Sequence, residues 1–296
     1  MTSFAEIRFH GVRGSAPASG ADYSLFGGDT PSIEIAFGDA RIFIDAGSGL
    51  KNVEVTPDFP DDFDLILSHY HYDHLIGLPF FEPAWMKNGR LRIFAPRFGD
   101  DDPALILNTL FTTPFCPVRL DDLRPHVEII PYRPGDVFPA SGGAMITTSA
   151  VNHPGGCAAI RVELHDGDVV YASDAEIGDD RDAASLAAFA KDARLFIADA
   201  MNDEADALHR RGWGHSSWRD MIGVASAAGV SATALFHHDP RRKDIDLVAL
   251  DAKAQSAEQS AFMARQGLRY RLHPRAEGPA RRNAERGETA IWRCSR

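Results

Sequence analysis

The stretch LSHYHYDHLIGLPFF at residues 67–81 places three histidines and one aspartate within six positions, directly after an apolar run. The preceding DLILSH is predicted to be a buried strand, and side chains at i, i+2 and i+4 of an extended chain project to the same side. His69, His71 and Asp73 are therefore expected to converge, and His74 follows where the chain turns. Two imidazoles suit one cation, and Asp73 with His74 suits a second cation nearby. Solvated loop histidines are the alternative, but so dense an ionisable cluster is costly without a counter-ion.

Two neighbouring cations need more ligands than this segment supplies, and further candidates lie downstream at predicted strand ends. His153 follows AMITTSAV, Asp174 follows DVVYAS, and His237 ends ATALFH. Loops at strand ends are the places where catalytic groups collect. Each residue alone also fits an ordinary turn, but the three together favour one site. Nitrogen and carboxylate ligands suit zinc, with iron or manganese as alternatives.

The rest of the chain predicts a mixed α/β fold. Short β-rich runs recur through the first two thirds, and the strands RLFIAD and ATALFH alternate with helical patterns in the last third. Helical patterns lie around residues 103–112, 182–192, 216–229 and 245–266. No Pro/Ser/Gly linker separates the halves, so residues 1–296 are expected to form a single domain in which helices cover packed sheets.

The segment at residues 97–126 differs from its surroundings in its acidic turns, its prolines and the aromatic residues Phe111 and Phe115. It is interpreted as an insertion. The plain interpretation is a surface helix and loop packed on the core. The alternatives are a lid, with Phe111 or Phe115 bordering the substrate pocket, and the contact surface of a homodimer.

Charge and composition restrict the partners. The chain has 31 basic and 42 acidic residues, a net charge of −11, and acidic runs at 61–64 and 99–103, all of which argue against a polyanion-binding surface. A small-molecule substrate is expected instead. Neither a leader sequence nor a run of about 18 apolar residues is apparent, so a soluble, cytoplasmic protein without membrane contact is predicted. Cys116, Cys157 and Cys294 are odd in number and widely spaced, which favours reduced thiols.

The order of HxHxDH, an isolated His, a strand-end Asp and a late His resembles the metallo-β-lactamase-fold hydrolases. The likeness extends over residues 7–250, and its outer motifs GVRGSAP, FGGDT, FIDAGSG, GWGHSS and LFHHDP are similar to those of the phosphodiesterase-like and ribonuclease Z-like branch. The resemblance implies a four-layer αββα sandwich with a dinuclear metal site at one edge of the sheets. It also implies hydrolysis by a hydroxide that bridges two divalent ions, zinc being expected.

The same resemblance implies a ligand set. The first ion would be held by His69, His71 and His153, the second by Asp73, His74 and His237, and both by a bridging Asp174. The position of Pro240 favours His237 over His238, whose side chain would point elsewhere or support the site.

Four further residues take roles from the resemblance. Asp45 in the DAG turn would orient a ligating histidine, although it also fits a turn-capping role. Asp29 stands where asparagine is more usual, which weakens any role copied onto it. His215, partnered by Asp199, would protonate the leaving group, and with Asp73 these are the predicted catalytic residues. Because HSSW begins a helix, an N-terminal capping role for this stretch is the alternative.

The expected substrate is a small phosphodiester such as a cyclic nucleotide or cyclic phosphate. Structured RNA is argued against because the 21 positions from His153 to Asp174 are filled by two strands, where ribonuclease Z-type enzymes carry an RNA-clamping arm. Lactone or thioester hydrolysis is the alternative on the same site. Two other classes remain: a metal-bound ligand sensor, and a di-iron redox site, which would resemble HxExD rather than carry His71.

Overall fold

The computed structural model describes residues 4–86, 88–123 and 126–272. The charged C-terminal stretch that begins at residue 274, with Cys294, lies outside the described residues. Within the described ranges the strands form two seven-stranded sheets. The first sheet, in spatial order, consists of β14 (Arg269–Leu272), β1 (Ala5–Gly11), β2 (Ser32–Phe37), β3 (Ala40–Ile44), β4 (Asp62–Ile66), β5 (Arg90–Pro96) and β6 (His126–Tyr132). The second consists of β13 (Ala261–Met263), β12 (Thr233–Phe236), β11 (Leu195–Asp199), β10 (Val169–Ala172), β9 (Cys157–Glu163), β8 (Met145–Val151) and β7 (Val137–Pro139).

Helices accompany both sheets. The α-helices of the described residues are α1 (Pro103–Leu110), α2 (Asp180–Phe189), α3 (Glu204–His209), α4 (Trp218–Ala228) and α5 (Asp244–Ala257). None of the helices found in these ranges is long and apolar enough to cross a lipid bilayer. The helices α2, α4 and α5 follow amphipathic or alternating segments of the last third, where they were expected. The short helix α3 was not predicted.

Alternation along the strands creates the layers. In β3, Ile42 and Ile44 face the core between the sheets, whereas Phe43 faces an outer apolar cluster that includes Leu107 of α1. In the second sheet, Ile197 faces the same central core, while its neighbours face the cluster beneath α2, α4 and α5. Because successive strand side chains point to opposite faces, each sheet buries both of its faces. The predicted αββα sandwich is confirmed.

Strand direction brings the loops together at one edge. In the first sheet β3, β4 and β5 run parallel, and in the second sheet β10, β11, β12 and β13 run parallel. The strand β8 is antiparallel to β9, which is itself antiparallel to β10, so β8 points the same way as β10. The carboxyl ends of parallel strands meet at one sheet edge, where open α/β sheets bind ligands.

One predicted helix was wrong in part. The helix expected at 245–266 ends at Ala257, and Ala261–Met263 instead forms β13, which pairs with the edge of β12. Ala261 and Met263 are buried on the helix-covered face while Phe262 packs on the central core. The pairing of β13 with β12 satisfies backbone N–H and C=O groups of β12 that a continued helix would leave unpaired.

The segment at 97–126 contains α1, and the structure describes all of it except residues 124 and 125. Phe111 packs in the outer apolar cluster with Leu107 and is therefore buried away from any ligand, whereas Phe115 is exposed. Phe98 lies against Gly156, where an added Cβ would come within 2.6 Å of its ring, so the start of the segment borders the His153 loop. A lid or dimer role for the segment stays a prediction.

Candidate metal centre

The seven predicted ligands converge at the common edge of the two sheets, from four separate loops. Their donor atoms form overlapping groups within which all ligand atoms lie within 4.8 Å of one another. These groups include His69–His71–His153, His69–His74–Asp174 and Asp73–His74–His237. His71 is exposed and the others are buried, so the cluster reaches solvent at His71.

The first group is arranged around a free nitrogen. The Ser68 hydroxyl donates to Asp45 and therefore accepts from His69 Nδ1, at 2.9 Å. The lone pair of His69 then lies on Nε2, a fully buried atom without a hydrogen-bond partner. His153 Nδ1 donates to the carbonyl of Gly214 at 2.9 Å, and its Nε2 faces His71 Nδ1 at 3.1 Å. Buried nitrogens with converging lone pairs are what a cation would satisfy.

The second group brings carboxylates and imidazoles into direct contact. His74 Nε2 lies 3.2 Å from both Asp73 and Asp174, and His237 Nε2 lies 3.3 Å from the same two carboxylates. Asp174 also lies 3.9 Å from His69 and from His153. Its two oxygens therefore face both groups, which is the placement expected of a bridging ligand.

Electrostatics keep these carboxylates ionised. Burial alone would raise the pKa of Asp174, but His237 and His74 outweigh it and hold the pKa well below its usual range. The pKa of Asp73 is lowered in the same way, against burial, by His74 and His237. Burial lowers the pKa of His69, and His74 lowers it further. Ionised carboxylate oxygens and imidazole nitrogens form a donor set that divalent zinc, iron or manganese fits.

Asp45 orients one of the ligands. Its carboxylate accepts from His74 Nδ1 at 2.7 Å, from both the backbone N–H and the hydroxyl of Ser68, and from the Tyr171 hydroxyl. With the proton of His74 fixed on Nδ1, Nε2 is left to bind a cation. Asp45 is fully buried and has a φ of 59°, in the left-handed region that aspartate tolerates better than most residues.

The structure distinguishes His237 from His238. His237 has a φ of 59°, which turns its ring into the cluster, and Gly14 packs so closely that a Cβ there would lie 2.2 Å from His237 Nδ1. His238 points into the core, where its Nε2 donates to the carbonyl of Ala264 at 2.8 Å. Burial lowers the pKa of His238 to about 3, so this imidazole is neutral. The prediction of a ligand at 237 rather than 238 therefore agrees with the placement of the two rings.

His215 lies beside the cluster and pairs with a buried carboxylate. Its Nδ1 donates to Asp199 at 2.8 Å, and the same nitrogen lies 3.9 Å from Asp174. Burial lowers the pKa of His215, but Asp199 more than compensates and the pKa is raised to about 9. The helix α4 is capped by Ser217, whose hydroxyl accepts from Asp220 N–H, so the capping role belongs to Ser217.

Residues that sequence reasoning missed hold this edge together. Glu176 is buried and accepts from the N–H of Gly214 at 2.8 Å and of Gly212 at 2.8 and 3.0 Å. Gly214, with a φ of 87°, carries the carbonyl that fixes His153, and a Cβ there would lie 2.1 Å from His153 Nδ1. Two features of the sequence could have pointed to these residues. Glu176 stands two positions after the predicted ligand Asp174, and Gly212 and Gly214 flank Trp213.

Asp29 lies outside the cluster. It accepts hydrogen bonds from Lys51, Asn52, Ser48 and Gln266, and thereby ties the FGGDT loop to the turn after β3. Burial raises the pKa of Asp29, but these donors, with Lys51 first among them, lower it below the usual value. The negative charge of Asp29, at a position where asparagine is more usual, is thus paired with the positive charge of Lys51.

The chain is similar in sequence and in fold to known proteins. Residues 40–238 match the family described as beta-lactamase superfamily domain. Ribonuclease Z of Thermoplasma acidophilum is 23% identical, and the alignment covers 87% of this chain and 94% of that protein. The probable metallo-hydrolase YhfI of Bacillus subtilis is 28% identical over 71% of this chain and 83% of its own length. The crystal structure of YhfI, a metallo-beta-lactamase fold protein, superposes with a TM-score of 0.70 at 22% identity, covering 91% of this chain and 100% of that one.

These comparisons confirm the resemblance proposed from the motifs. They do not support the expectation that structured RNA is an unlikely substrate, because relatives that match most of the chain are named ribonuclease Z. The fold likeness and the converging donor atoms are consistent with divalent metal ions at this edge.

Proposed function

The chain belongs to the beta-lactamase superfamily and is a metal-dependent hydrolase, and we propose that it uses two divalent ions to cleave a small phosphodiester. The observation that carries the proposal is the His215–Asp199 pair beside a complete set of seven donor residues. An ordinary metal-binding site has no need of a further buried imidazole held by a carboxylate. A group that protonates a leaving oxygen does need that arrangement.

We propose zinc as the metal, since the donors are imidazole nitrogens and carboxylate oxygens. His69, His71 and His153 would hold one ion, Asp73, His74 and His237 the other, and Asp174 both. When bound, the ions supply Lewis-acid activation of water and of the attacked phosphoryl group. Asp73 and Asp174 offset the repulsion between two dications, and Asp45 and Gly214 keep two imidazoles aligned to receive them.

His215 would complete the reaction at the leaving oxygen. Because its Nδ1 proton is held by Asp199, the proton available for transfer is the one on Nε2. Asp199 in turn accepts from the N–H groups of Met201 and Ala175, so the carboxylate cannot rotate freely. A departing alkoxide would be protonated as the bond to phosphorus breaks, which is worth most when the alkoxide is a poor leaving group.

The leaving group tests this assignment. His215→Ala is expected to retain its metal and to lose on the order of 10²–10⁴-fold in rate on an alkyl phosphodiester. On an aryl phosphodiester the loss should be much smaller, because a phenolate leaves without protonation. Asp199→Asn should give a weaker form of the same pattern. His165→Ala, at an exposed histidine of the β9–β10 turn, is the matched control and should leave both rates unchanged.

Equal losses on both substrates, or loss of metal from the His215 variant, would show that His215 supports the site and is not the acid. Lactone and thioester hydrolysis remain the alternative on the same donors. Activity on lactones or thioesters, with none on phosphodiesters, would replace the proposed substrate class.

Cleavage of an RNA phosphodiester is a second candidate, favoured by the ribonuclease Z relatives that the chain matches over most of their length. Against it, the interval between His153 and Asp174 contains the β9–β10 hairpin, and the chain is acidic. A structured RNA and a cyclic nucleotide, assayed with the same metal-loaded sample, distinguish the two.

A further inference from the structure

Trp213 is presented to solvent on the turn whose next residue, Gly214, contacts the metal-ligand candidate His153. Its side chain is 60% exposed, whereas Trp218, five residues later, is 1% exposed in the core. Tryptophan has a large apolar ring that is usually at least partly covered in a folded protein. The exposed indole lies in the turn between α3 and α4, two residues before His215.

The turn holds this indole from both sides. Glu176 accepts the N–H groups of Gly212 and Gly214, the two residues that flank Trp213, and the Trp213 N–H donates to the carbonyl of Arg210. Both glycines have positive φ, 84° and 87°, a conformation that few other residues adopt without strain. A buried carboxylate and two glycines thus fix the backbone on each side of an exposed ring.

The turn also sets the position of the ring relative to the proposed chemistry. Gly214, joined to Trp213 by one peptide bond, accepts the hydrogen bond from the metal-ligand candidate His153 at 2.9 Å. Arg210 lies along the same ring, with its guanidinium carbon 5.9 Å from the ring centroid. That guanidinium is anchored by Asp239 and Asn202 at 2.8 and 2.9 Å. Trp213 therefore belongs to the same turn that fixes His153, and Arg210 lies over one face of its ring.

We propose that Trp213 is a specificity-determining residue that stacks on the nucleobase of the substrate. This inference rests on the proposed phosphodiester hydrolysis and narrows it to nucleoside cyclic phosphates. A flat, rigid, exposed indole offers a face to any base, since stacking needs no particular hydrogen-bond pattern. Trp213 directly precedes Gly214, whose carbonyl fixes His153. Its ring would therefore hold the base while the phosphoryl group reaches the metal centre.

A matched pair of substrates isolates the base. We would measure KM and kcat of zinc-loaded enzyme on adenosine 2′,3′-cyclic phosphate and on base-free ribose 2′,3′-cyclic phosphate. Trp213→Ala should raise KM for the adenosine compound by about 10–100-fold, as expected from the loss of one base-stacking contact, with kcat nearly unchanged. KM for the base-free compound should not change. Trp213→Phe should restore most of the affinity, and Leu208→Ala, at another exposed apolar residue, should behave as wild type.

Each other outcome has a definite meaning. Equal changes of KM on both substrates would show that Trp213 only supports the turn. Unchanged KM on both would mean that the indole serves a different partner. Either result overturns the proposal. If the wild type cleaves neither compound, the proposed hydrolysis fails, and calorimetric binding of AMP against ribose 5-phosphate decides the stacking role. Weaker AMP binding by Trp213→Ala would then support it, and equal or absent binding in both proteins would overturn it.

Discussion

Two histidine–aspartate pairs lie on opposite sheets of this molecule with nearly the same geometry. His74 donates to Asp45 at 2.7 Å beside the first sheet, and His215 donates to Asp199 at 2.8 Å beside the second. Their surroundings differ. The His74 side chain is 0% exposed and faces two carboxylates and another imidazole, whereas the His215 side chain keeps 9% exposure. The same pair thus suits a metal ligand in one place and a proton donor in the other.

The difference lies in how close each ring comes to the carboxylates of the cluster. For His74, Nε2 lies 3.2 Å from Asp73 and from Asp174, so a cation there has several donors at once. His215 approaches Asp174 at 3.9 Å through Nδ1, the nitrogen that already donates to Asp199. Identical local chemistry therefore does not define a role, and the neighbours decide it. Substitutions that act on one pair and spare the other test this distinction.

The largest expected effect comes from Asp45→Asn. Asparagine keeps the size and tolerates the left-handed backbone, but its amide NH₂ would face donors such as Tyr171 and Ser68 where the carboxylate accepts. Metal affinity, measured by competition with a chromophoric chelator, should fall by about 10–100-fold. Asp166→Asn, at a buried carboxylate that accepts from Ala5 N–H away from the cluster, should leave metal affinity unchanged. Unaltered affinity in Asp45→Asn would remove the distinction between the two pairs.

A smaller and more diffuse effect is expected from Gly214→Ala, because this residue contacts the ligand candidate His153 and directly precedes His215. The added Cβ would collide with His153 Nδ1, and the residue that follows is His215. Gly212→Ala is a matched control, since its φ of 84° is similar to the 87° of Gly214 but nothing lies within 4 Å of its Cβ. The control should bear only the cost of the left-handed backbone, about 1–2 kcal/mol.

The comparison of these two variants uses rate and metal content together. Gly214→Ala should lose at least about 10-fold more activity than Gly212→Ala, since a displacement near 1 Å at a catalytic group is enough for such losses. It should also hold less metal after dialysis. If both variants behave alike, the close contact with His153 is relieved at no cost and the turn does not align the site.

The smallest effect concerns Asp29, a buried carboxylate whose partner is Lys51, whereas the partners of Asp45 and Asp199 are histidines. Its pKa is lowered in the folded protein, so it contributes stability above its unfolded pKa of about 3.9, and this contribution is lost as the pH falls through the folded value. Asp29→Asn should destabilise the metal-free protein by about 1 kcal/mol or less at pH 7, since Lys51 is half exposed. The difference from wild type in urea denaturation should shrink below pH 4. A difference that grows in acid would mean that Asp29 is protonated in the fold.

Much of the site could be predicted because its ligands are dense or stand at strand ends. His69, His71, Asp73 and His74 occupy six positions, so their chemistry is visible without any fold. His153, Asp174 and His237 each resemble turn residues alone, and only their order along the chain identifies them. The short β-rich runs predicted packed sheets covered by helices, and the resemblance implied their αββα arrangement; the strands bury apolar residues on both faces.

The parts that could not be predicted depend on contacts between distant segments. Glu176 acts on Gly214 across 38 positions, and no local pattern marks a carboxylate that accepts backbone N–H groups of another loop. The strand Ala261–Met263 was assigned to a helix because three residues are too few to reveal a period of two. Phe111 was, with Phe115, one of two candidates for the border of the pocket, but packing against Leu107 in the outer apolar cluster buries it.

Counting the metal ions is the most direct test of the dinuclear proposal. Wild-type protein would be loaded with excess zinc, freed of unbound metal by gel filtration and analysed by inductively coupled plasma mass spectrometry. It should hold two ions per chain. Asp174→Ala should hold fewer, because the carboxylate that faces both donor groups also offsets the repulsion between two dications. One ion or none in the wild type, or two ions in Asp174→Ala at unchanged affinity, would contradict a centre bridged by Asp174.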